Sequence, residues 1–160
     1  MMPSLSIATV SAARQIERRD WERLAPDGHP FLDADFFTLM EQHETAGPAC
    51  GWHAHHRVAK NAEGAVIGLV PTYIKSNSHG DFVRDWSWAA AYQQLGKTYY
   101  PKLLSGVPHT PASGPRFLVA AGSDSDQVRT RLIEHIKASV AESGFSSWHV
   151  ALPAADEVEL

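Results

Sequence analysis

SDSDQVRTRLIEHIKASVAESGFSSWHVAL, residues 123–152, is the stretch on which the fold turns. Ser123-Asp124-Ser125-Asp126 places short oxygen-bearing side chains ahead of an apolar period, where they can accept from the free amides of a first helical turn. Val128, Leu132, Ile133, Ile136 and Val140 then fall on one helical face. Gly144 sits where a helix ends in a left-handed residue. Trp148 to Leu152 reads as a short strand, stopped by Pro153. A helix leading into a strand in this way is the repeating unit of an α/β protein.

Working outward, Leu5, Ile7 and Thr9 alternate with small residues and predict a first strand. Ile16, Trp21 and Leu24 fit a short helix ended by Pro26 and Gly28. Asp33 is placed to cap a second helix that turns Phe36, Phe37 and Met40 inward, with Gly47-Pro48 as its stop. His53 to Lys60 and Ala65 to Ile74 read as a hairpin around Asn61-Ala62-Glu63-Gly64. The second arm is nearly all apolar and is expected to be buried on both faces, with Pro71 marking a bulge or an edge. Asp81 to Leu95 predicts a third helix, capped by Asp81, with Phe82, Trp86, Ala89 and Ala90 toward the core. Lys102–Val107 and Arg116–Ala120 are candidate strands before the crossover helix.

The 160 residues predict a single domain. One cysteine excludes a disulfide framework and a multi-cysteine metal site. There is no apolar run of membrane-spanning length and no signal-peptide pattern, so the expectation is a cytoplasmic protein. Fourteen basic against eighteen acidic side chains disfavour a nucleic-acid-coating role. The distribution says more than the total, because no Asp or Glu occurs from Trp86 through Ser123. That window holds Lys97, Lys102, His109 and Arg116 among aromatic residues and prolines. It is either where an anionic ligand sits or a proline-rich loop.

The element order resembles the first part of the GNAT acyltransferase fold, in which a helix joins two central parallel strands that splay apart. A closer resemblance rests on blocks in fixed order. These are His29-Pro30-Phe31-Leu32, the run Pro71 to Gly80, Asp85-Trp86-Ser87-Trp88-Ala89 with Ala91-Tyr92, Tyr99-Tyr100-Pro101-Lys102-Leu103, Val107-Pro108-His109-Thr110-Pro111, and Gly114-Pro115-Arg116. From about Pro30 to Leu152 the chain resembles the FemAB-like family, associated with peptidoglycan biosynthesis and N-acyl transfer. The resemblance implies a GNAT-like mixed sheet flanked by helices. Because members carry two such halves, it also implies an incomplete half, able to dock with a second half or form a homodimer. It implies acyl-CoA or aminoacyl-tRNA as donor and a small-molecule or peptidoglycan-precursor substrate. The Gly-rich pyrophosphate loop of coenzyme-A-dependent GNAT enzymes is absent. Its place reads Leu118 to Ser123, followed by Asp124 and Asp126, whose carboxylates would repel phosphate. No cofactor is therefore assigned.

Asp85, Trp88 and Tyr92 share a helical face, a combination suited to a sugar or peptide wall with Asp85 as general base. The alternative is packing against a neighbouring strand. Lys75 and His79, in the loop after the buried strand, can contact a carboxylate or phosphate, or form a solvated turn. Tyr99, Tyr100, Lys102 and Arg116 are the anion or sugar contacts of the acid-free window, Arg116 by a bidentate grip. The alternative is that the tyrosines pack and the cations snorkel. His53, His55 and Arg57 alternate onto one strand face, but no third ligand accompanies the histidines, so no metal is assigned. Cys50 has no base beside it in sequence. Two functions follow: an acyltransferase using Asp85, or a non-catalytic ligand-binding or assembly module with the same surface.

Overall fold

The computed structural model describes residues 5–122 and 124–159. Ser123, first of the run expected to open the crossover helix, therefore lies outside the described residues, as do Met1–Ser4 and the end of the acidic tail, Leu160. The elements are β1 (Ser6–Val10), α1 (Arg18–Leu24), α2 (Ala34–Gln42), β2 (Trp52–Ala54), β3 (His56–Lys60), β4 (Val66–Val70) and β5 (Thr72–Lys75). After them come α3 (Trp86–Gln94), β6 (Lys102–Ser105), β7 (Leu118–Val119), α4 (Ser125–Ser143) and β8 (Trp148–Val150).

The expected hairpin forms, and its turn is held as the sequence implies: Asn61 Oδ1 accepts from Ala65 N at 2.8 Å, with Gly64 left-handed. Each arm is nevertheless two strands. One sheet runs β1-β3-β4-β7, antiparallel throughout; the other runs β2-β5-β6-β8, with β6 and β8 parallel. The chain changes sheets at His55 and again at Pro71. Pro71 has no N–H to donate, so the ladder breaks there. Its carbonyl accepts from Gly106 N just past β6, and Thr72 O accepts from His55 N at 2.9 Å. Pro71 is thus a corner rather than a bulge or an edge.

Helices cover both faces. Trp21 and Phe37, from α1 and α2, pack with Leu32, Val58, Leu69 and Tyr73. Val128, Leu132 and Ile136 of α4 pack on the other face with Ala59, Val70 and Leu103. Consecutive residues of one strand, such as Val58 and Ala59, enter opposite cores, so the central strands are buried on both sides as their composition predicts. Each fully buried apolar side chain of α4 is worth about 1.5–3 kcal/mol relative to exposure. Asp33 caps α2, accepting from Asp35 N at 2.7 Å, and Gly144 ends α4 left-handed. α4 joins β7 to β8, and β8 pairs with β6, which is the expected crossover.

The third helix departs from expectation. It starts at Trp86, its N-cap is Asp85 rather than Asp81, and none of its residues is buried. Phe82 and Trp86, expected in the core, are exposed. The cause lies in charge pairing. Asp81 is drawn to Lys75, which is only 1% exposed. Leaving a buried ammonium unpaired costs about 3–5 kcal/mol, against about 1 kcal/mol for a lost helix cap.

Candidate functional site

Trp52, Lys75 and Lys102 stand opposite one another across β2, β5 and β6. Opposed residues share a sheet face, so the two lysines lie side by side at one end of the second sheet. Both are buried. The segment 76–85 returns across this end and gives each a carboxylate. Asp81 Oδ2 lies 2.9 Å from Lys75 Nζ, and Lys102 Nζ donates to Asp85 Oδ2. Ser78 Oγ fixes the second pair by accepting from Asp85 N at 3.1 Å.

Around Lys102 the sequence-identified aromatics converge. Its ammonium donates to Tyr99 Oη at 2.9 Å and lies 4.6 Å from the Tyr99 ring centre and 5.8 Å from that of Tyr100. Tyr92, on the inner side of α3, meets Tyr99 edge-on at 5.1 Å. His149 joins from β8, its ring 6.1 Å from Tyr99. Burial, reinforced by Asp85, pushes the Tyr99 phenol up to about 12, and burial also raises Tyr100. Burial lowers Lys75 against the pull of Asp81. Burial and then Lys102 lower His149. At neutral pH the site thus offers protonated phenols and a neutral imidazole beside a carboxylate held by an ammonium.

Close to Asp81, through His109, lies a cavity of about 390 Å³, lined by Thr45, Cys50, Asn77, His79, Gly80 and His109. His79 is therefore at this cavity, not at Lys102. His109 connects the two regions: its Nε2 is 2.9 Å from Thr45 O, and its Nδ1 is 3.5 Å from Asp81 Oδ1. Cys50 lines the same cavity, its thiol donating to Glu44 O at 3.5 Å.

Two other candidates lie apart. Trp88 lies three residues along α3 from Asp85, but it is 64% exposed to solvent. Arg116 is buried, and its guanidinium donates to the carbonyls of Ala151, Pro115 and Ala112. Its fork is thereby occupied by backbone, and Glu157 instead accepts from the amides of Arg116 and Phe117. His53 and His55 do not share a regular strand face, because β2 ends at Ala54. Arg57, beyond the break, reaches Ser139 Oγ at 3.1 Å. Among the described residues no group of three His, Cys, Asp or Glu side chains is arranged to hold a metal ion.

Sequence reasoning missed Asp81, His149 and Glu41. His149 was legible in part, since strand alternation places it on the face of Leu104, its partner, and hence of Lys102. Glu41 had no local signal. It accepts from Tyr73 Oη at 2.8 Å, lies 2.8 Å from His56 Nε2, and binds Ala13 N at 2.6 Å. Burial pushes the Glu41 carboxyl up, but these hydrogen bonds outweigh it and leave the group below its usual range.

The start of α4 does not fit a pyrophosphate. Asp124 is its N-cap and Asp126 lies in its first turn, so two carboxylates occupy the end that would attract an anion.

A family model described as FemAB-like, peptidoglycan biosynthesis/recognition, matches residues 12–160. No curated protein matches the sequence. Solved structures do match in fold. An aminoglycoside 6'-N-acetyltransferase from Acinetobacter baumannii superposes with TM-score 0.51 and 9% identity, over 98% of this chain and 84% of that one. A ribosomal-protein-alanine N-acetyltransferase from Brucella melitensis biovar Abortus 2308 does so with TM-score 0.51 and 15% identity, over 97% and 84%. Both are GNAT acetyltransferases, and at these identities the likeness is one of fold.

Proposed function

The chain belongs to the FemAB-like family, and from that premise we propose that it catalyses N-acyl transfer to an amine at the Asp85–Lys102–Tyr99 cluster. The family and the GNAT fold support the reaction class. The observation that carries the site is the Asp85–Lys102–Tyr99 cluster, flanked by Tyr92, Tyr100 and His149. In the proposed step the amine nitrogen bonds to the acyl carbon and the bond to the donor's leaving oxygen or sulfur breaks. The amine proton passes to Asp85. Tyr99, whose oxygen accepts from Lys102 and whose own proton is retained, protonates the leaving atom. Lys102, bonded to both, links the two groups while protons re-equilibrate. The cavity at His79 and Asn77, beside Lys75, would hold a polar part of a cell-wall precursor. The acyl donor is an activated ester or thioester, such as aminoacyl-tRNA or acyl-CoA, and no step depends on a pyrophosphate at α4. A cytoplasmic location belongs to the same proposal.

The carboxylates at the start of α4 favour a second reading, a binding or assembly module that docks with a second GNAT-like half. One experiment separates the two. The protein is incubated with acyl-CoA and aminoacyl-tRNA donors and muropeptide acceptors, and products are followed by mass spectrometry. Acyl-bearing acceptor that forms only with donor, acceptor and protein together supports transfer. Acceptor binding without product overturns it in favour of the module.

A further inference from the structure

α3 has an unusual surface for an exposed helix. Five of the nine large hydrophobic residues exposed among the described residues fall between Phe82 and Leu95, where Trp86 is 54% and Leu95 73% exposed. The inner stripe of Asp85, Ala89 and Tyr92 faces the protein. Trp86 and Trp88 are about 200° apart around the axis and therefore project on different sides of that stripe. The result is a convex ridge, apolar on both flanks, rather than a flat patch.

Its charge is equally one-sided. Between Phe82 and Gly96 the only charged residues are Arg84 and Asp85. Asp85 is tied to Lys102, and the Arg84 guanidinium lies 5.0 Å from the Trp86 ring centre. Exposed Lys97 follows the helix, and no carboxylate occurs again before Asp124. A protein partner would need a groove matched to both flanks. A fluid lipid surface adapts to a convex ridge, takes Trp at headgroup level, and supplies anionic phosphates for Arg84 and Lys97.

We propose that the α3 ridge docks the protein peripherally on an anionic membrane surface. Trp86 and Trp88 sit among the headgroups, Phe82, Val83 and Leu95 reach the acyl boundary, and Arg84 and Lys97 meet lipid phosphates. The docking needs no acyl transfer and is measured without donor or acceptor, so its failure leaves the acyl-transfer reading intact.

The test is co-sedimentation of the full chain with vesicles of phosphatidylcholine alone or of equimolar phosphatidylcholine and phosphatidylglycerol. Binding is expected to the mixed vesicles, weaker binding to the neutral ones, with tryptophan emission shifting to shorter wavelength. Trp86→Ser with Trp88→Ser should lower partitioning about tenfold or more, while circular dichroism stays unchanged because neither residue is buried. Arg84→Glu with Lys97→Glu should abolish the preference for anionic lipid. No binding to mixed vesicles overturns the proposal, as does binding that neither double substitution alters. Self-association in sedimentation velocity, abolished by the tryptophan substitutions and without lipid binding, also overturns it and makes the ridge an interface between copies.

Discussion

Lys75 and Lys102 are neighbouring cations on one sheet face, and each is tolerable in the interior only with its own aspartate. Asp81 also accepts from Trp52 Nε1 at 2.9 Å, a bond an amide oxygen can still accept, so removing its charge chiefly leaves the buried Lys75 ammonium without a counter-ion. Asp81→Asn is expected to cost about 3 kcal/mol in urea unfolding. Lys75→Met combined with Asp81→Asn should cost less than Asp81→Asn alone, because no lone charge remains and the amide oxygen can still accept from Trp52. A double variant as unstable as the sum of its parts would contradict this pairing. His55 gives a pH dependence. Burial first, then Arg57, His56 and His135, lower its pKa from 6.5 to about 4. Between those values the unfolded chain binds the extra proton, so stability is full above pH 6.5 and is lost as pH falls toward 4. Allowing for partial exposure, the loss is on the order of 2 kcal/mol. Denaturation curves at several pH values, with His55→Gln as control, should show a shallower slope in the variant.

At the scale of elements, α4 lies so close on β4 that Gly68 is a spacer. A methyl there would meet Val128 Cγ1 at 2.9 Å and Leu132 Cδ1 at 3.1 Å. Gly68→Ala should destabilise by about 1–3 kcal/mol through overpacking, read as a lower urea midpoint. The end of the described chain is held differently. Glu157 caps the amides of Arg116 and Phe117, so Glu157→Ala leaves two buried N–H groups without an acceptor. A cost of about 1–3 kcal/mol is expected, with faster amide exchange at Phe117. Unchanged exchange there would count against the cap.

Across the whole molecule, the features legible in the sequence are those set by local chemistry: the period of α4, Asp33 as a cap, the Asn61–Gly64 turn, and the fully apolar arm through Val70. The sheet-to-sheet corner at Pro71 was half legible, since a proline foretells a broken ladder but not where the chain then goes. The start of α3 was not legible. Capping favours Asp81 locally, and only the fold reveals a buried Lys75 that outbids the helix for it. For the same reason Asp85 and Tyr92 were legible on one helical face and Tyr99, Tyr100 and Lys102 in the acid-free window, but only the fold joins the two sets. Arg116 could not be separated from them, because the carbonyls that occupy it belong to segments distant in the chain or to a loop whose shape is tertiary.

The central claim is that the Asp85–Lys102 pair performs acyl transfer rather than merely closing one end of a sheet. It is tested most directly by comparing turnover of the native chain with Asp85→Asn, which removes the charge, with urea unfolding followed in parallel because the change leaves the buried Lys102 unpaired. The account predicts a fall in kcat of about a hundredfold or more, with little change in KM and an unchanged circular dichroism spectrum. Turnover within about twofold of the native chain in a folded Asp85→Asn protein would contradict it.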